Sequence, residues 1–456
     1  MPLLLLICFW VWGGVAGLSA QTPTSRPAAE RVVVLITLDG FPSWIWKDPT
    51  LVMPNLRRIA ARGAVAENMT VSNPTATWIN HTTLVTGVHP SKHGVLFNGL
   101  LTRQGPDQPP LIDPLATKAD LVRTPTLYDL AFRAGLKTAQ VAWVAVAQSG
   151  SFHVELAEIP RPHHAFGQEL VAGGILTAAQ LAGFTASPHG AWRDTVRTQA
   201  AAHILRTRAP NLLLLHLLNT DTTNHISGPG SNASFTAYAY ADRLIGDFFE
   251  ALNAAGFQDR ATVFITTDHG FKKVGRLIYP NVALREAGLL QTQDGKINQC
   301  AASVIAQGGM AMVFVTDPAR RAALLPSLKS ICSKLEGVAA VIDPRVEPIA
   351  GLPTPEQNPG MGDLLLIAQP GSAFQPEAHL PSAVAEAKTP LGAHGYPHTD
   401  PDLDGLLVAW GYGVRSGTTL NRIRNVDVAP TLAQLLGLQL PDTDGRVLEE
   451  LLDLPR

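Results

Sequence analysis

Asp39, Asp221, His225, Asp268, His269 and His394 stand close to hydrophobic runs in the chain. Carboxylate and imidazole are donors for divalent transition metals, and six of them suffice for two three-residue protein sets. Thr77 opens a predicted helix, where an alcohol beside a cation can serve as a nucleophile in phosphoryl transfer. Asp39-Gly40 follows the run Val32–Leu38, and Asp268-His269-Gly270 follows Ala261–Thr267. Gly270 eases departure from strand geometry. Asp221 and His225 are four residues apart, a spacing that places both on one side of a helical turn. The trailing Ser227-Gly-Pro-Gly230 has loop composition, and His394 lies between glycines in Gly392-Ala-His-Gly-Tyr396. Each feature alone also fits a turn, a hydrogen-bonded histidine or a helix cap. Recurrence after several strands is what carries the inference. Three imidazoles among six ligands put zinc first, ahead of magnesium or calcium, with manganese and iron as alternatives. Thr75 is the alternative alcohol in the same segment.

Such residues need a frame. The nearly continuous apolar run Val32–Leu38 reads as a strand buried on both faces of a parallel sheet. Helices are predicted over 54–61, 78–85, 126–134, 192–207 and 236–252, alternating with strands over 138–144, 212–218 and 261–267. That order predicts an α/β fold: a doubly wound, mostly parallel sheet with helices on both faces. Ligands of such sheets gather beyond the carboxyl ends of the strands. Residues 276–385 read differently, as a smaller α+β insertion, with strands over 310–315, 339–342 and 363–368 and a helix over 318–335. The expected organisation is an export segment at 1–20, a linker at 21–30, a first core part at 31–275, the insertion, and a closing core part at 386–456. A strand over 406–410 and a helix over 427–436 belong to that closing part.

With 46% hydrophobic and 16% charged residues and a formal charge of −2, the 456-residue chain lacks the basic excess of a nucleic-acid binder. Its first twenty residues carry no charged side chain, run apolar from Leu3 to Trp12 and end in Leu18-Ser19-Ala20. This reads as an export signal cut after Ala20, without the usual basic start, giving a periplasmic or secreted protein. No later segment is long enough to span a bilayer. Cleavage removes Cys8 and leaves Cys300 and Cys332, which form one disulfide or remain two buried thiols.

The ordered motifs resemble the alkaline phosphatase superfamily, and within it the nucleotide pyrophosphatase/phosphodiesterase branch. The resemblance runs over about residues 31–450. It rests on Asp39, Thr77-Trp78-Ile79-Asn80-His81, Leu84–Pro90 with His93-Gly94, Asn98, Asp221 with His225, Asp268-His269-Gly270, Gly392–Tyr396 and the segment from Asn425. It implies an alkaline-phosphatase-like fold and two Zn²⁺ per chain. One zinc would lie on Asp39, Thr77, Asp268 and His269, the other on Asp221, His225 and His394. It implies Thr77 as nucleophile, a phosphorylated-threonine intermediate, and Asn98 holding a phosphoryl oxygen. Trp78-Ile79 replaces the family's Phe-Pro, which leaves the metals intact and reshapes the pocket. Trp78 then either stacks on a nucleobase or aryl group or packs. The expected substrate is a small phosphodiester, in the first place a nucleotide. A monoester, a phospholipid head-group diester and an inactive binding protein are the alternatives.

Overall fold

The computed structural model describes residues 26–454, so the expected export segment lies outside the described residues. Eight strands form the central sheet: β1 Val32–Leu38, β2 Ala64–Thr70, β3 Thr138–Val141, β4 Val154–Leu156, β5 Leu212–Leu217, β6 Ala261–Thr266, β7 Gly405–Gly411 and β8 Thr418–Arg424. Their order is β8-β2-β7-β6-β1-β5-β3-β4. β1 pairs in parallel with β5 and with β6, and β3 in parallel with β5 and β4. β7 runs antiparallel between β6 and β2.

The sequence of β1 explains its place. Val32, Val34, Ile36 and Leu38 enter one core, while Val33 and Leu35 enter the other. A strand apolar at every position is stable only with packing on both faces. Helices α1 Pro54–Ala61, α3 Gly190–Arg208 and α5 Asn232–Ala254 contribute to the first core. α2 Thr77–Thr86 and α6 Val428–Leu435 contribute to the second. This is the expected doubly wound, mostly parallel arrangement. β2 and β8 escaped the sequence reading, because Glu67, Asn68, Asn421 and Arg422 interrupt their apolar alternation.

Strands Ala302–Ala306, Met310–Val315, Leu364–Ala368 and Val338–Ile342 form a separate antiparallel sheet. Helix Arg321–Ser333 shares its core. One further pairing matters for the site. Strand Val384–Ala393 runs antiparallel to Lys272–Ile278, with Ala393 opposite Lys272. The ladder therefore brings the residue after Ala393 back beside the segment after Asp268-His269.

Of the two alternatives for the cysteines, the structure has the second: Cys300 and Cys332 are free buried thiols. Both are packed in the apolar core of the inserted sheet. Burial pushes the Cys300 thiol up to about 11 and that of Cys332 up to about 12. Among the described residues no helix is long and apolar enough to cross a membrane.

Candidate active site

Asp39 leaves the carboxyl end of β1, and Asp268-His269 leaves that of β6. Helix α4 Asn219–Ser227 follows β5 and carries Asp221 and His225 on one side, as their spacing predicts. Because β5, β1 and β6 are adjacent, these segments meet at one edge of the sheet. His394 joins them through the ladder described above.

His269 Nε2 is the meeting point. It lies 3.4 Å from Asp39 Oδ1, 3.2 Å from Asp268 Oδ2 and 3.5 Å from Thr77 Oγ1. Beside it, Asp221 Oδ1 is 3.4 Å from His225 Nε2 and 3.7 Å from His394 Nε2. Donor atoms of Asp221, His225 and His394 cluster within 4.8 Å of one another, as do those of Asp39, Asp221 and His269. Asp221 thus stands between the two groups. All six expected ligands and Thr77 come together.

The donor set fits divalent cations. Asp39 Oδ1, Asp221 Oδ1 and Asp268 Oδ2 are buried without a hydrogen-bond partner among the described residues, and buried carboxylate oxygens left without one are costly. Burial, reinforced by Asp268 and Asp221, holds the Asp39 carboxyl well above its ordinary range. For Asp268 burial is outweighed by His269 and His81, which hold it below that range. Burial together with His269 and His225 pushes His394 down to about 3, leaving a neutral imidazole free to ligate. Three close acids and three imidazoles with free nitrogens are what two cations would reconcile.

A supporting layer was only partly visible in sequence. His216, an interruption in an apolar strand, places Nε2 2.9 Å from Asp39 Oδ2 and Nδ1 3.1 Å from the Ala142 carbonyl. His81 Nδ1 is 2.9 Å from the Thr77 carbonyl and 3.5 Å from Asp268 Oδ2. Asn224 donates to the Gly40 carbonyl at 2.9 Å, tying α4 to the turn after β1. Phe271 sets its ring against His225 at 4.8 Å, His394 at 5.2 Å and His269 at 5.9 Å between centroids. Gly40 is required here, because a Cβ would stand 2.7 Å from that ring.

The two threonines separate clearly. Thr77 begins α2 and faces His269. The Thr75 hydroxyl donates to the Tyr396 carbonyl at 3.0 Å, and the Thr75 carbonyl lies 2.9 Å from His394 Nδ1. Thr75 therefore orients His394, so that Nε2 points at Asp221. Asn98 accepts from the Trp78 N–H at 3.0 Å, leaving its amide nitrogen to donate elsewhere. Trp78 itself is half-buried against the cluster of Ala76, Ile79 and Val95. It does not line the neighbouring cavity of about 240 Å³, where Asn98, His225 and His394 meet Phe97, the phenylalanine of that wall.

A doubly wound α/β fold with a two-cation donor set and an alcohol at the carboxyl edge defines a metallohydrolase-type scaffold. The family described as type I phosphodiesterase / nucleotide pyrophosphatase matches residues 33–397, and the chain belongs to that family. It is 23% identical over 450 residues to human ectonucleotide pyrophosphatase/phosphodiesterase family member 7, covering 94% of this chain and 84% of that protein. It is also 23% identical over 258 residues to the venom phosphodiesterase of Macrovipera lebetinus, covering 56% of this chain but only 27% of the venom protein. The fold is shared with human ectonucleotide pyrophosphatase/phosphodiesterase 5, at a TM-score of 0.70 and 18% identity over 93% of this chain and all of that one. The murine counterpart, solved as an inactive variant in complex with AMP, gives 0.68 at 18% identity, with the same coverage of both chains.

Proposed function

We propose that this protein hydrolyses phosphodiester or pyrophosphate bonds of small substrates, nucleotides foremost, with Thr77 as nucleophile and two zinc ions. The observation that carries the reading is the convergence of Thr77 Oγ1 and the Asp39 Oδ1 and Asp268 Oδ2 oxygens around His269 Nε2, with Asp221 Oδ1 beside them among His225 and His394. Asp39, Thr77, Asp268 and His269 would hold one ion, and Asp221, His225 and His394 the other. Zinc so bound supplies Lewis acidity and neutralises phosphate charge.

The side chains do the rest. Thr77 sits at the first turn of α2, whose amino end favours the negative phosphoryl group. The Thr77 oxygen forms a bond to phosphorus as the ester or anhydride oxygen departs. Water then cleaves the phosphothreonine and restores the alcohol. The Asn98 amide nitrogen donates to a phosphoryl oxygen. Among the described residues no Lys or Arg lines the adjoining cavity, which favours a diester over a monoester with its extra charge. We place the activity outside the cytoplasm, in keeping with the export segment at 1–20.

The test uses bis(p-nitrophenyl) phosphate and p-nitrophenyl phosphate, with metal content measured on the same preparation. Thr77→Ala is expected to lose roughly a thousandfold in kcat. Acid-quenched wild-type enzyme should carry phosphate on Thr77, seen by mass spectrometry. A Thr77→Ala enzyme keeping more than roughly a tenth of wild-type turnover would sink the covalent route. A monoester preference would overturn the diesterase assignment.

A further inference from the structure

His216 stands among leucines. β5 reads Leu212-Leu-Leu-Leu-His-Leu217 with every position buried, and the imidazole is 0% exposed. A leucine would continue the strand, whereas a buried imidazole must find partners for two polar nitrogens. The neighbouring strand supplies the first. Thr37 of β1 is the register partner of His216, and Asp39 N–H donates to the Leu217 carbonyl at 2.9 Å. Register partners share a face of the sheet, and Asp39, two residues past Thr37, returns to that face. His216 Nε2 thus meets Asp39 Oδ2 at 2.9 Å.

The second partner comes from the end of β3. His216 Nδ1 lies 3.1 Å from the Ala142 carbonyl, an oxygen that can only accept, so this nitrogen carries a hydrogen. Ala142 has φ +59°, in the left-handed region that a residue with a Cβ seldom enters. Strain of this kind persists where the surrounding structure demands it, and it gathers at functional sites. The ring of His81 packs against His216 at 4.1 Å between centroids. His81 is itself tied to the Thr77 carbonyl at 2.9 Å and to Thr37 Oγ1 at 2.8 Å. The His216 imidazole is therefore held at both nitrogens and on one face.

The two oxygens of Asp39 are left in different positions. Oδ2 is taken by His216, while Oδ1 has no hydrogen-bond partner among the described residues and stands 3.4 Å from His269 Nε2. We infer that His216 is a positioning residue for the cation set of Asp39, Asp268 and His269, occupying Oδ2 so that the carboxylate offers Oδ1 alone, on the side of His269. This rests on the two-cation reading and adds a residue that touches neither cation nor substrate. Hydrogen bonds to ligating side chains fix their orientation, and losing one commonly weakens metal binding by about 10–100-fold.

The test replaces His216 by two amides, each reproducing one ring nitrogen. The amide nitrogen of asparagine takes the place of Nδ1 and serves the Ala142 carbonyl, whereas that of glutamine takes the place of Nε2 and serves Asp39. Purified protein is equilibrated with zinc in buffers of fixed free zinc, bound metal is measured by elemental analysis, and turnover is followed on bis(p-nitrophenyl) phosphate. His216→Asn is expected to hold one of two zinc ions about 10–100-fold more weakly, with the other held as in wild type. Its lost turnover should return as free zinc is raised, which a packing defect would not allow. His216→Gln should bind both ions nearly as wild type does. An asparagine variant with wild-type zinc affinity, or a glutamine variant as weak as the asparagine one, would overturn the inference. A crystal structure of the zinc-loaded wild type decides the matter even if neither variant folds. Zinc bonded to Asp39 through Oδ1, with Oδ2 still on His216, is expected; zinc on Oδ2 or on His216 itself would overturn it. Wild-type protein that takes up fewer than two zinc ions and leaves the aryl diester intact would instead remove the two-cation reading, a failure distinct from the others.

Discussion

Helix α4 carries two of the proposed metal ligands, yet its first turn has no cap of its own: Leu218 supplies no side-chain hydrogen bond. Asp194, on α3, caps it from a distance. Its Oδ1 accepts from Leu218 N–H at 3.1 Å and its Oδ2 from Asn219 N–H at 2.8 Å. Arg197, only 1% exposed, donates to the same Oδ1 at 2.9 Å. Asp221 lies two residues into the helix thus anchored. Asp194→Ala leaves two N–H groups without their acceptor, at about 1–3 kcal/mol for each that stays unpaired. It also strands a buried guanidinium, which costs about 3–5 kcal/mol when the partner is removed. The terms share one carboxylate and do not add fully, so the expected loss is about 5 kcal/mol. Asp194→Asn keeps one oxygen and should lose roughly half of that. Urea unfolding measures the stability. Metal retained after dialysis against graded chelator measures the site, and the ion on Asp221, His225 and His394 should be released first. An Asp194→Ala protein within about 1 kcal/mol of wild type, with unchanged metal retention, would refute the argument that this carboxylate positions the ligand helix.

Two further outcomes follow from the geometry. Gly40→Ala forces an alanine into φ +65° and sets its Cβ 2.7 Å from the Phe271 ring. The expected cost is about 2–4 kcal/mol, with metal lost from both proposed ligand sets because that ring touches the three histidines proposed as ligands; retention of both ions on elemental analysis would contradict it. His93 is fully buried, accepts from Val95 N–H at 3.1 Å, and is pushed by burial down to about 3. Its folded value lies below its unfolded one, so its contribution is complete above about pH 6.5 and is lost progressively as pH falls toward 3. That amounts to about 2 kcal/mol by pH 5. His93→Asn should have a flatter stability profile than wild type between pH 7.5 and 5, and parallel profiles would rule the effect out.

How much of this was legible beforehand depends on how local each signal is. β1, β5 and β6 declared themselves because strands buried on both faces must be continuously apolar. The residues just past them became candidates because a polar group tolerates only the strand's end. The Thr77 position and the Asp221–His225 spacing are likewise properties of a few consecutive residues. β2 and β8 were missed because polar side chains such as Glu67 and Arg422 break the pattern that marks a strand.

The sequence by itself determined the kinds of donor, their order along the chain and the sheet edge where they belong, since these follow from composition and period within single segments. Tertiary structure alone decided which segments meet. His394 reaches His269 only because Val384–Ala393 pairs with Lys272–Ile278. Asp194 supports a helix 24 residues downstream through hydrogen bonds to its backbone. His216 shifts from an oddity in an apolar strand to a partner of Asp39. Trp78 rests, half-buried, against Ala76, Ile79 and Val95. Cys300 and Cys332 remain separate thiols although their count allowed a bond. Each of these outcomes depends on contacts between residues distant in the chain. Spacing along a sequence does not encode such contacts, because they are set by the packing of the whole core.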